Sequence, residues 1–268
     1  MFSEGHIIFI IISIILVVIG ASICEKKKIP TEKVLWGCFF IALICEIIKI
    51  LVVIKIVPLV ELVVEDGVLT YKNVGKFYPY IETAHIPLEL CSFQIVFLFL
   101  ARVVKNEKWK RRIYSLIYAT SLIGGIIATL LSSIAPYYNS TKEFLFSIRA
   151  WEFYIYHSML VVIAIVIARD KSYGLRFADA KWTCIIVFML DIFSFYMNSV
   201  LSIPLYVKEN LIGLTHSVNF FSSYDDPLGI NITTKGQYFI YLLIRFVGVL
   251  LLILAVYIPF LKRREEKI

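Results

Sequence analysis

Residues 6–24 read HIIFIIISIILVVIGASIC and are followed by Glu25, Lys26, Lys27 and Lys28. The stretch carries no formal charge and no alternation of polar and apolar residues. Its length is close to the ~20 residues an α-helix needs to cross a bilayer. Six further blocks of the same kind follow at residues 34–57, 86–104, 113–138, 150–168, 182–207 and 237–261. Together they use most of the 268 residues, of which 60% are hydrophobic and 18% charged. A soluble domain carries about 45–50% apolar and about 25% charged residues, so this chain lacks the polar surface to cover a core in water. The expected fold is all-α: a polytopic membrane protein with one seven-helix transmembrane domain over residues 1–268. No soluble catalytic domain is left over. Dinucleotide-binding, P-loop and zinc-finger patterns are absent, so neither a cofactor nor a metal is expected.

The loops set the orientation. Lys26, Lys27, Lys28 and Lys33 follow the first block; Lys105, Lys108, Lys110, Arg111 and Arg112 join the third and fourth. Arg169, Lys171, Arg176 and Lys181 join the fifth and sixth, and Lys262, Arg263, Arg264 and Lys267 form the tail. Basic residues favour the cytoplasmic side, which places the N-terminus outside and the C-terminus inside. The net charge of +7 is then explained by topology and by anionic lipid head groups rather than by nucleic acid. The first block does not read as a signal peptide, because its lysines lie on the wrong side of the apolar run. Cys24, Cys38, Cys45, Cys91 and Cys184 fall within helices or at their cytoplasmic ends, where no disulfide is expected. The sequons at Asn139 and Asn231 read as chance, since the Ile-, Lys- and Phe-heavy composition fits a bacterial plasma membrane.

Polar residues inside the blocks are the informative ones, because an ionisable group in hydrocarbon normally faces the bundle interior and a partner. On the third helix His85, Glu89 and Ser92 follow an i, i+4, i+7 pattern. On the fifth, Arg149, Glu152, Tyr156 and His157 share one wedge. Asp191, Ser194, Asn198 and Ser202 form a stripe on the sixth, and Tyr238, Tyr241 and Arg245 one on the seventh. Glu46 and Lys49 lie within the second. Most of these positions fall in the outer half of the membrane, which points to a polar cavity opening outward; pairing as bundle glue is the bland alternative. On the fourth helix Gly124, Ala128 and Ser132 make a small-xxx-small line suited to close packing, ended by Pro136. Cys91 lies about 200° around a helix from Glu89 and is expected to point away from the seam.

The segment His85-Ile-Pro-Leu-Glu-Leu-Cys-Ser resembles the H-x-P-[LF]-H-L-C motif of the bacterial YwaF-like integral membrane family. Residues 124–136, GGIIATLLSSIAP, are similar to that family's glycine-rich fourth helix. His157 stands where the family has a fifth-helix histidine, and Asn219-Phe-Phe with Asp226-Pro-Leu-Gly resembles its segments before the last helix. The chain departs from the motif at Glu89, where the family has a second histidine. The resemblance implies a distant similarity to a eukaryotic transmembrane acyltransferase of ether phospholipids, whose motif pairs Cys with His; aligned on its proline, that Cys would fall at Leu88.

Three function classes follow. The first is a lipid- or acyl-handling enzyme, with His85, Glu89 and His157 moving protons. Arg149, Glu152, Asp191, Asn198, Asn219, Tyr241 and Arg245 would then hold an anionic lipid or other substrate. The second is a carrier or binding protein for a small solute using the same cavity. The third is a non-catalytic subunit whose polar seams bind another membrane protein.

Overall fold

The computed structural model describes residues 3–65, 68–82, 85–86, 89–132, 134–135, 138–207, 210–216 and 234–261. Its elements run α1 Glu4–Lys26, α2 Thr31–Val53, β1 Lys55–Glu65, β2 Val68–Tyr80, α3 Leu90–Val103 and α4 Glu107–Leu130. They continue with α5 Thr141–Phe146, α6 Ile148–Arg169, α7 Ala180–Leu201, β3 Ile203–Val207, β4 Asn210–His216 and α8 Lys235–Tyr257. Six of these helices, α1, α2, α4, α6, α7 and α8, are long and apolar enough to cross a membrane. The protein is therefore an all-α, multi-pass membrane protein. Its apolar exterior fits that reading, with Ile11, Ile14, Val18, Leu51, Leu243, Ile244 and Leu251 all facing outward.

Capping chemistry starts the helices where the sequence allows it. Ser3, Asn106, Ser147 and Thr234 each accept a backbone N–H of the first turn, and Thr234 forms a reciprocal box with Gln237. The α3 helix is shorter than its apolar block. It has 14 residues, about 21 Å at 1.5 Å per residue. Pro87 gives the reason, since proline disfavours helical backbone at the residue before it. His85 consequently sits in a separate single turn, its N–H bound to the Glu82 carbonyl. Glu89 is the N-cap of α3 with extended backbone (φ −75°, ψ 153°). The expected helical face joining His85, Glu89 and Ser92 is therefore not formed.

Other block ends shift as well. Residues 55–57 belong to β1 and residues 203–207 to β3, so the second and sixth blocks run past their helices into strands. The β1–β2 and β3–β4 pairs are antiparallel two-stranded ribbons; Pro58 and Pro204 lie at their register shifts, where a missing N–H is tolerated.

The core centres on α6, which packs against α1, α2 and α4. The close-packing line on α4 is Ser121–Gly125–Thr129, all buried, and not Gly124–Ala128–Ser132. A Cβ at Gly125 would stand 2.8 Å from the His157 carbonyl oxygen and 2.7 Å from Val161, whereas one at Gly124 would meet nothing within 4 Å.

Both ends of the bundle are tied together by side chains. At one end Glu32 binds Arg102 at 2.9 Å and Lys110 at 2.6 Å, Arg169 binds Glu25 at 2.6 Å, and Thr31 donates to Asp170 at 2.5 Å. Tyr257 donates to the Ser115 carbonyl at 2.7 Å and meets Thr183 at 3.0 Å. These contacts gather the C-terminal ends of α1, α3, α6 and α8 with the N-terminal ends of α2, α4 and α7. The loops after α1, α3 and α6 carry the basic clusters, so this is the basic end. At the far end His6 of α1 meets the Thr129 carbonyl of α4 at 3.0 Å, and Tyr156 of α6 donates to the Cys91 carbonyl of α3 at 2.5 Å.

Candidate functional site

The far end holds a concentration of ionisable and reactive side chains. Glu46 and Lys49, one turn apart near the C-terminus of α2, pair at 2.5 Å. Arg149 and Glu152, one turn apart at the start of α6, form a second short pair. Only 8% of Lys49 and 8% of Glu152 is exposed. Glu152 lies within electrostatic reach of Lys49 and Glu46 as well as Arg149, so the two pairs make one four-charge cluster between α2 and α6. Cys45 is within reach of Arg149, Glu152 and Glu46. Tyr156 is within reach of Cys45, Cys91, Glu46 and Glu152.

His85 joins this cluster from the turn before α3. Burial lowers its pKa first, and the Arg149 cation lowers it further against an opposing pull from Glu82. Both effects favour the neutral imidazole. Cys91, on the first turn of α3, feels both Glu89 and Lys49. Its placement away from the charged groups, expected from helical spacing, does not follow, because Glu89 lies outside the helix that the spacing assumed.

His157 lies one turn deeper on α6 and is buried. Its Nδ1 is 2.7 Å from the Phe153 carbonyl oxygen, and the ring packs on Phe153 at 4.2 Å between centroids. A carbonyl can only accept, so Nδ1 carries the proton and Nε2 presents a bare lone pair. Among the described residues Nε2 has no hydrogen-bond partner. It is within reach of the Arg149 charge. Gly125 is what admits this turn of α6 so close to α4.

The remaining sequence candidates divide. Asp191 on α7 accepts from Nη2 of Arg245 on α8 with both carboxylate oxygens at 2.8 Å, and Arg245 lies 5.7 Å from the Phe195 ring. Asn198 is fully buried on the Asp191 face, and its carbonyl accepts from Ser202 at 2.6 Å. Tyr241 is half-buried on α8. Asn219 lies outside the described residues. Among the described residues no group of three or more His, Cys, Asp or Glu is placed to hold a metal ion.

Two buried polar devices escaped the sequence reading. Gln94 of α3 donates to Thr120 Oγ1 at 2.7 Å and accepts from Ser121 at 3.1 Å, a clasp onto α4. His6 is buried between α1 and α4, with Tyr154 of α6 beside it. Their sequence signal is a lone polar residue in an apolar block.

A family model matches residues 1–258 of the chain, and that model describes the TMEM164 family. The chain belongs to the TMEM164 family. No curated protein and no solved structure matches it. The match covers α1 to α8, so the far-end cluster lies entirely within the part of the chain shared with that family.

Proposed function

We propose that this member of the TMEM164 family is a membrane-embedded, acyl-handling enzyme whose working site is the far-end cluster of α2, α3 and α6. The observation that carries the reading is the His157 imidazole, held in one tautomer with Nε2 unengaged among the described residues in a buried site beside Arg149. A buried imidazole nitrogen without a partner among the described residues costs about 1–3 kcal/mol of desolvation, which a proton-transfer role at that atom would account for. The resemblance to a transmembrane phospholipid acyltransferase supplies the substrate class.

In this reading an acceptor hydroxyl on a lysolipid gives its proton to Nε2 of His157 and attacks the ester carbonyl of a donor phospholipid. The bond from the carbonyl carbon to the donor oxygen breaks, and the proton passes from His157 to that oxygen. No water is consumed. Lys49 and Arg149 hold the phosphate of one lipid, while His85 and Glu89 line the entrance. Seven crossings, with α3 as the short one, leave the basic end in the cytoplasm and the far end in the outer leaflet of a plasma membrane.

The test uses full-length protein in liposomes, with a deuterated acyl chain on the donor phospholipid and an unlabelled lysophospholipid acceptor. Mass spectrometry should show label moving to the acceptor. His157→Gln should slow transfer at least about a hundredfold with little change in melting temperature. No transfer by the wild type, or an unaffected His157→Gln, overturns the proposal.

A further inference from the structure

At the basic end Arg112 differs from its two neighbours on α4. Lys110 is paired with Glu32 and Arg111 with Asp179 at 3.2 Å. Arg112, between them and α7, has no acidic partner and no hydrogen-bond acceptor among the described residues. Its guanidinium carbon instead lies 3.6 Å from the ring centre of Trp182 and 4.6 Å from that of Trp109. Trp109 is the third residue of α4 and Trp182 the third of α7. Both indoles are exposed, at 53% and 36%, and neither indole N–H has an acceptor among the described residues.

This arrangement has a definite chemistry. Aromatic faces hold a guanidinium through its π surface and leave its in-plane N–H donors free. Those donors form a fork that matches two oxygens of one phosphate. Tryptophan favours the level of the lipid head groups, where its N–H can meet a polar acceptor. Lys108 and Lys181, next in sequence to the two tryptophans, add attraction for an anion at the same level.

We infer that Trp109, Arg112 and Trp182 form a binding site for the phosphate of an anionic lipid in the leaflet at the basic end. The site lies at the opposite end of the bundle from the far-end cluster and does not depend on its chemistry. The group recognised is a phosphate ester, and the source is a lipid rather than free phosphate, because the indoles sit at the rim of an apolar belt.

The test uses full-length protein with Trp36→Phe and Trp151→Phe, so that emission comes from Trp109 and Trp182. It is reconstituted in phosphatidylcholine vesicles containing brominated phosphatidylglycerol or, in a parallel series, brominated phosphatidylcholine. Quenching should show roughly tenfold preference for the anionic lipid, and Arg112→Gln should reduce it to about twofold or less with the melting temperature unchanged. Arg112→Lys keeps the charge but not the fork and should fall between. Equal preference in wild type and Arg112→Gln overturns the inference. So does loss of the preference on adding millimolar inorganic phosphate at constant ionic strength, which would assign the site to the free anion. If Arg112→Gln unfolds the protein, the Arg112→Lys series decides: a preference equal to wild type overturns recognition by the fork.

Discussion

The two ends of the bundle use the same residue types in opposite ways. At the basic end most of the ion pairs are surface ties, Arg169 and Glu25 having side chains 55% and 64% exposed; Asp179, paired with Arg111, is a buried carboxylate there, and neutral hydroxyls satisfy one another around Tyr257. At the far end the pairs themselves are buried, the side chains of Arg149 and Glu152 being 19% and 7% exposed. Two cysteines, two histidines and a tyrosine stand among them. Charge that is merely structural can be left in water at no cost. Charge drawn into the bundle has to be maintained against desolvation, and that is the end where chemistry is expected.

The comparison breaks first if the far end can be deformed without consequence. Gly125 is the point of closest approach between α4 and α6, and a side chain there meets the His157 backbone, which cannot rotate away. Gly125→Leu should cost about 3 kcal/mol or more and prevent recovery of folded protein in detergent. Gly124→Ala, one residue away in open space, should be neutral or stabilise by about 0.5–1 kcal/mol. Equal melting temperatures for the two variants would mean that α4 and α6 do not pack as described.

A second measurement compares the ion pairs directly. Arg149→Ala leaves Glu152 buried between the Lys49 cation and the Glu46 carboxylate, a loss of about 3–5 kcal/mol for a broken buried pair. Arg169→Ala at the basic end should cost under about 1 kcal/mol. Unfolding in mixed micelles reads both, and similar losses would erase the distinction between the ends. The Gln94 clasp sits between these extremes. Gln94→Leu strands the Ser121 hydroxyl and removes a bond to Thr120, so it should cost about 1–3 kcal/mol.

The membrane class and six of the helices were legible because apolar length is a strong signal that tertiary context rarely overrides. The entry to α3 was not, although its cause was in the sequence. Pro87 lies inside an apolar block, and hydropathy outweighed the backbone restriction it places on Ile86. The ribbon strands were missed for a related reason, since Ile56, Val57 and residues 203–207 carry on the apolar runs of the helices before them, with Lys55 the single charged interruption. The seams on α6 and α7 were legible, because their polar residues sit within continuous helices where spacing maps onto a face. Choosing Gly125 over Gly124 needed the neighbour. Two adjacent glycines carry identical sequence signals, and only α6 decides which one is covered.

The smallest expected effect is a pH dependence, and it singles out the turn before α3. Burial and the Arg149 cation both hold the His85 imidazole below its ordinary value of 6.5, against the weaker opposite pull of Glu82. A lowered pKa means that the folded protein binds this proton less readily than the unfolded chain does. Stability from this group is therefore fully present above about pH 7.5 and declines as pH falls through about 6.5. The decline stops once the folded form is also protonated. Other groups titrate over the same range, so the readout is a difference. The wild type should lose more stability than His85→Gln between pH 7.5 and 5.5. Arg149→Lys, which keeps the cation, should retain the wild-type slope, and Arg149→Gln should reduce it. If the wild type and His85→Gln show parallel slopes, His85 does not share the electrostatics of the far end.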